Sequence, residues 1–236
     1  MYTGTAATDS SAGPRRLFAR FRDLIRERGA EAALSPETRI AASGVHEVFY
    51  IPFEHVEAGA RLAIVGITPG PNQVALAYGE AREMMARGLP EAEVLRGAKL
   101  AAGFGGPAMR PNLLRLLDGT GLAALAGAGR ADDLWAAGER LLHATSVVPH
   151  AALRAGKPFA GSFADVLTSP SLRESFERDF LPSLGFLADA LFVALGPTPL
   201  AALDHAARAG LIAPERVLGA LPHPSSQSGS QVDVYC

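Results

Sequence analysis

A single cysteine, Cys236, is the whole thiol complement of this 236-residue chain. One thiol builds no disulfide framework and no cysteine-based zinc site, and its scarcity fits a reducing interior such as the cytoplasm. Charge of one sign is equally scarce: 22 Lys and Arg face 24 Asp and Glu, a formal net charge of −2. No global basic field draws such a chain to nucleic acid or to a membrane, so a nucleic-acid partner requires a local basic patch. No apolar run reaches spanning length and no signal-peptide pattern opens the chain, which predicts an unexported protein without a membrane partner. Nucleotide signatures are missing too. There is no Gly-x-Gly-x-x-Gly after the first strong strand and no Gly-Lys-Ser/Thr phosphate loop, and both dinucleotide and triphosphate folds lose their weight with them. No Gly-x-Ser-x-Gly elbow occurs. His46, His55, His143, His150 and His205 lack the spacing of metal ligands, so neither a metal nor another cofactor is expected.

What is present is an alternation of apolar runs with helical patterns. Residues 1–13 are small, polar and aperiodic and read as a mobile tail; residues 14–236 read as one domain, expected to be a monomer. Leu17, Phe18, Phe21, Leu24 and Ile25 share one face of a first helix whose remaining faces are rich in arginine, and Gly29 is its predicted C-cap. Residues 30–60 read as irregular, with Val48–Ile51 as a possible short strand. Four continuous apolar runs follow at Leu62–Ile67, Leu141–Val148, Leu191–Leu195 and Val217–Leu221. Helical stretches separate them at Asn72–Ala86, Glu91–Leu100, Asn112–Leu117, Ser171–Leu187 and Leu200–Ala209. Residues 149–161 read as a loop carrying His150, Arg154 and Lys157. Continuously apolar strands imply a sheet covered on both faces. The predicted class is α/β: a three-layer α/β/α sandwich around a four-stranded, mainly parallel sheet.

In such a sheet the carboxyl ends of the strands share one edge, where ligands bind. Four stretches converge there: Gly66–Pro71, Ser146–His150, Gly196–Thr198 and Leu221–Ser226. The turn Gly66-Ile67-Thr68-Pro69-Gly70-Pro71 resembles the first motif of the uracil-DNA glycosylase superfamily, and Leu221-Pro222-His223-Pro224-Ser225-Ser226 resembles its last. Val193-Ala194-Leu195-Gly196 followed by Thr198 is similar to the third-strand segment between them. The resemblance spans Leu62 to Ser226. It implies hydrolysis of the N-glycosidic bond of a flipped-out, damaged or deaminated base, with DNA as partner. It also implies site residues. His223 would donate to the base carbonyl that gains charge. Gly66, Ile67, Pro69, Gly70, Phe104 and Ser146 would shape the base pocket, with Phe104 stacking on the base, and Ser225 and Ser226 would grip phosphate. The cysteines of the superfamily's iron–sulfur members are absent.

This chain departs from the pattern at two positions. Thr68 stands where active members commonly carry Asp, Asn or Glu to position or activate water; its hydroxyl can hold a water but is no base near neutral pH. Ser146 stands where uracil-specific members often have Asn. Asn72 and Gln73, just past the turn, are candidates for a replacement amide, Tyr78 reads as core, and Asn112 reads as a helix cap. Two readings therefore remain open: a glycosylase using His223 and Thr68, and a non-catalytic module that binds a base, a nucleotide or DNA on the same fold.

Overall fold

The computed structural model describes residues 13–136 and 140–225. The tail expected over 1–13 falls, except for Gly13, outside the described residues, as does Ser226.

The chain opens with α1 (Phe18–Arg28), which buries Phe18, Phe21 and Ile25 and ends at Gly29, whose φ of 53° few other residues adopt without strain. Two short strands follow, β1 (Arg39–Ser43) and β2 (His46–Phe49), antiparallel to each other and joined through Gly44. The first apolar run forms β3 (Leu62–Gly66), buried throughout. Three helices come next: α2 (Pro71–Ala86), α3 (Glu91–Ala102) and α4 (Met109–Gly119), followed by the single turn α5 (Leu122–Leu125). After β4 (Leu142–Ser146) come β5 (Ala151–Arg154) and β6 (Lys157–Pro158). Residues expected to form a loop at 149–161 thus form a hairpin, and β5 pairs with β2. The result is a second sheet in the order β1-β2-β5-β6.

The helix expected over Ser171–Leu187 is segmented. α6 (Phe163–Thr168) precedes it, and the stretch itself runs through α7 (Pro170–Ser175), a π-helical turn at Phe176–Phe180, and α8 (Leu181–Leu184). The last elements are β7 (Leu191–Leu195), α9 (Pro197–Arg208) and β8 (Val217–Leu221). Thr198 does not cap α9; Gly196 holds that position, and the Thr198 hydroxyl donates to the Gly161 carbonyl at 3.0 Å.

The main sheet has the order β4-β3-β7-β8, and each neighbouring pair is parallel. Alternate residues of a strand face opposite sides. Leu62 and Ile64 of β3 join Val193, Leu195 and residues of α4 and α5 in one apolar cluster. Ala63 and Val65 join Phe192, Ala194 and residues of α6–α9 in another. Burial on both faces explains why β3 and β7 read as unbroken apolar runs, whereas the edge strand β8 keeps Leu218 and Ala220 exposed. Gly66, Ser146, Leu195 and Leu221 end the four strands at one edge.

Candidate functional site

The site begins where β3 ends. The ladder to the next strand runs one step further than the strand itself, with Val147 N–H donating to the Gly66 carbonyl and Val148 N–H to that of Ile67. Pro69 is buried under the turn, and Pro71 starts α2, where its missing N–H costs no hydrogen bond. A side chain at Gly66 would be tightly crowded. A Cβ there would lie 3.1 Å from Phe104 Cε1 and 3.5 Å from Ser146 Oγ. Three predicted pocket residues, Gly66, Phe104 and Ser146, are therefore in one another's reach.

Phe104 is held in an unusual way. Its φ is 53°, a left-handed backbone that a bulky residue adopts only where its surroundings enforce it. One enforcing contact is its own N–H, which donates to Gln73 Oε1 at 3.3 Å. Another is the packing of Gly103, where a Cβ would come within 2.8 Å of Ala144 Cβ. Phe104 is 6% exposed and packs with Leu62, Ile64 and Leu113, so this loop aromatic is also a core residue. Beyond it opens a cleft of about 370 Å³ bordered by Gly70, Gln73, Gly105, Gly106, Met109 and Ser225. No charged side chain lines that cleft among the described residues.

Thr68 faces a different task from the one its motif position implies. Its hydroxyl donates to the His150 carbonyl at 2.8 Å and accepts from the Ala152 N–H at 2.8 Å. The turn after β3 is thereby fastened to β5 and so to the second sheet. One hydroxyl lone pair is left for a water.

His223 follows β8. Its Nδ1 accepts from the Ser225 N–H at 3.3 Å, and burial pushes its pKa below the ordinary imidazole value. A neutral ring whose Nδ1 accepts carries its proton on Nε2, so His223 presents an N–H donor. The same bond occupies the Ser225 backbone amide; its side chain remains at the cleft. Asn112 is not a cap. It lies within α4 and donates through Nδ2 to the Pro224 carbonyl at 3.1 Å, docking the last motif on that helix. Tyr78 is fully buried, as expected, and donates to the Tyr50 carbonyl at 3.0 Å. Arg154 and Lys157 are exposed on the β5–β6 hairpin.

The chain is 30% identical to the protein titled "Uncharacterized protein YoxB" of Bacillus subtilis (strain 168) over 190 residues, covering 80% of this chain and 74% of YoxB. The chain belongs to the YoxB family. No protein-family model matches it, and no solved structure matches it. In this YoxB-family chain, groups of three or more His, Cys, Asp or Glu placed to hold a metal are absent among the described residues, and no helix there is long and apolar enough to cross a membrane.

Two connections leave no trace in the sequence. Gln73 was a candidate base reader, yet its carbonyl oxygen fixes the Phe104 loop. Thr68 was a candidate water holder, yet its partners lie 82 and 84 positions away. A Thr in a Gly/Pro-rich turn signals a local hydrogen bond but gives no clue to a partner so remote.

Proposed function

We propose that the chain is a uracil-DNA-glycosylase-like protein, a three-layer α/β/α sandwich that binds DNA as a cytoplasmic monomer and hydrolyses the N-glycosidic bond of a flipped base. The observation that carries this reading is the approach of Phe104 and Ser146 to Gly66 at the carboxyl end of β3. A ring edge and a hydroxyl are brought together there, and Gly105, next to Phe104, borders a neutral cleft, which suits a planar, uncharged, hydrogen-bonding ligand.

In the reaction, the bond between the sugar C1′ and the base nitrogen breaks and its electron pair leaves with the base. Water adds its oxygen to C1′ and loses a proton to solvent, and the departed base anion takes one up, so that a sugar hydroxyl and a neutral base result. The base carbonyl that gains negative charge accepts from His223 Nε2–H, an interaction that strengthens as the bond opens. Ser146 holds the base edge, and Ser225 meets phosphate at the rim.

A specific observation favours a second reading, the non-catalytic binding module. The Thr68 hydroxyl already has two partners, and among the described residues no carboxylate lines the cleft to activate water.

The deciding experiment incubates the protein with oligonucleotides carrying uracil, hypoxanthine, xanthine or mismatched thymine and scores abasic sites. The glycosylase reading expects cleavage of at least one substrate and a loss of about 100-fold or more in His223→Ala, the usual cost of one oxyanion-type donor. No cleavage, alongside salt-sensitive binding of the same oligonucleotides, replaces it with the binding module. Neither cleavage nor binding overturns both.

A further inference from the structure

Away from the cleft, residues of α3, the start of β4, His55, Glu57 and Trp135 line a small cavity of about 30 Å³. Its polar lining comes from His55, Glu57, Arg96, Lys99, Trp135 and His143. Lys99 is 7% exposed, and its Nζ donates to the carbonyls of Phe53 at 3.0 Å and His55 at 2.7 Å. An ammonium has three N–H groups, so one is left over. Buried lysines are ordinarily paired with an acid, yet among the described residues no carboxylate oxygen forms an ion pair with Nζ.

His143 is 1% exposed, and its Nδ1 accepts from the Glu57 N–H at 3.3 Å. Burial, with Lys99 and His55 close by, pushes its pKa well below the ordinary value. The ring is neutral and its proton sits on Nε2, which is buried without a partner. The indole N–H of Trp135 is likewise buried without a partner. Among the described residues Glu57 is the acid that lines the cavity: its Oε2 is met by Arg96 at 3.2 Å and His55 at 3.3 Å, and its Oε1 lies 3.6 Å from Arg140.

Two donors of this cavity, His143 Nε2–H and Trp135 Nε1–H, are buried without a partner, and Lys99 lines the same cavity outside ion-pairing distance of any carboxylate among the described residues. A water would satisfy some of these donors but bring two O–H donors of its own. An anion only accepts. A volume of about 30 Å³ has room for a single small particle such as a water or a monatomic ion. We propose that this cavity is a binding site for a single chloride-sized halide, held by Lys99, His143 Nε2–H and Trp135 Nε1–H. The site is independent of the proposed glycosylase reading.

Two measurements on the full chain test it. Crystals grown in sodium bromide should give an anomalous peak in the cavity; a water-only cavity, or bromide on the surface alone, overturns the proposal. The thermal midpoint should rise saturably, by about 2 °C or more, as sodium chloride replaces sodium gluconate at constant ionic strength, because a ligand that binds only the native state stabilises it. The rise should vanish in Lys99→Met and shrink in Trp135→Phe, which keeps the ring and removes only the N–H. An equal rise in wild type and in Trp135→Phe overturns the assignment even if Lys99→Met fails to fold.

Discussion

Replacing Thr68 by Val separates architecture from chemistry at the turn after β3. The two side chains have nearly the same shape, so the change removes a hydroxyl and little else. That hydroxyl makes two hydrogen bonds of 2.8 Å, to the His150 carbonyl and from the Ala152 N–H. Both residues are buried, His150 at 3% and Ala152 at 1% exposure, so water cannot readily replace the lost partner. A net hydrogen bond is worth about 1 kcal/mol, and a buried donor left without an acceptor costs about 1–3 kcal/mol. The expected loss for Thr68→Val is therefore about 2–4 kcal/mol, while Thr68→Ser, which keeps both bonds, should lose under about 1 kcal/mol. Urea unfolding at pH 7 with an unchanged denaturant slope measures it. A Val variant within about 0.5 kcal/mol of wild type would refute the structural role. Activity gives the complementary result. At a temperature where the Val variant is folded, any base-excision rate should stay within about threefold of wild type. A collapse of the rate with unaltered stability would instead place the hydroxyl on the attacking water.

Gly66→Ala puts a Cβ at 3.1 Å from Phe104 Cε1; it should cost about 1–3 kcal/mol by urea unfolding and weaken ligand binding in the cleft by displacing that ring. Asp179→Ala removes the carboxylate that Arg15 grips at 2.7 and 2.6 Å; breaking this nearly buried pair should cost about 3 kcal/mol, and a loss below about 1 kcal/mol in urea would refute its role as a staple. Stability should also depend on pH in two windows. His143, His150 and His223 are all pushed below the ordinary imidazole value, chiefly by burial; the unfolded chain then binds more protons below about pH 6.5, so stability falls as pH drops from there, before the carboxylates titrate. Lys99 is pushed by burial from 10.5 down to about 7; between those values the unfolded chain again binds more protons, so stability rises from pH 7 toward 10 in chloride-free buffer, and a flat profile there would contradict the burial of an unpaired lysine.

The parallel sheet was legible because burial on both faces leaves a one-dimensional trace, an unbroken apolar run such as Leu62–Val65. The second sheet left only the short apolar stretch Val48–Ile51, whose first two residues close β2. β1 and β2 are short, and Arg39, Glu47 and His46 stand among their residues, so their sequence resembles a polar loop. Their strand character comes from pairing with β5, a partner remote in sequence. The π turn was hidden for a different reason. Leu172, Phe176, Phe180 and Leu184 recur every four residues, which drifts slowly around an ideal helix of 3.6 residues per turn. A wider turn at Phe176–Phe180 compensates for that drift and stacks the two phenylalanines at 5.6 Å. At the site, residue types were legible and their partners were not. The glycines around Phe104 marked a loop, but its contact with Gly66 exists only because Gly103 lets the loop press against β4.

His223 distinguishes the two functional readings. A donor accelerates bond cleavage only to the extent that it binds the transition state better than the ground state. In a glycosylase, the fixed Nε2–H of a neutral His223 meets an oxygen that becomes more negative as the base departs. His223→Ala should then lower turnover by about 100-fold and change affinity for an uncleavable analogue of the same oligonucleotide by less than about fivefold. In a binding module the ligand carries no developing charge, and the same N–H acts entirely in the ground state. The substitution would then appear wholly in affinity. Fluorescence anisotropy with the uncleavable analogue, set beside abasic-site formation with the natural base, measures both quantities on one variant. A loss confined to affinity would refute the assignment of His223 as the leaving-group donor.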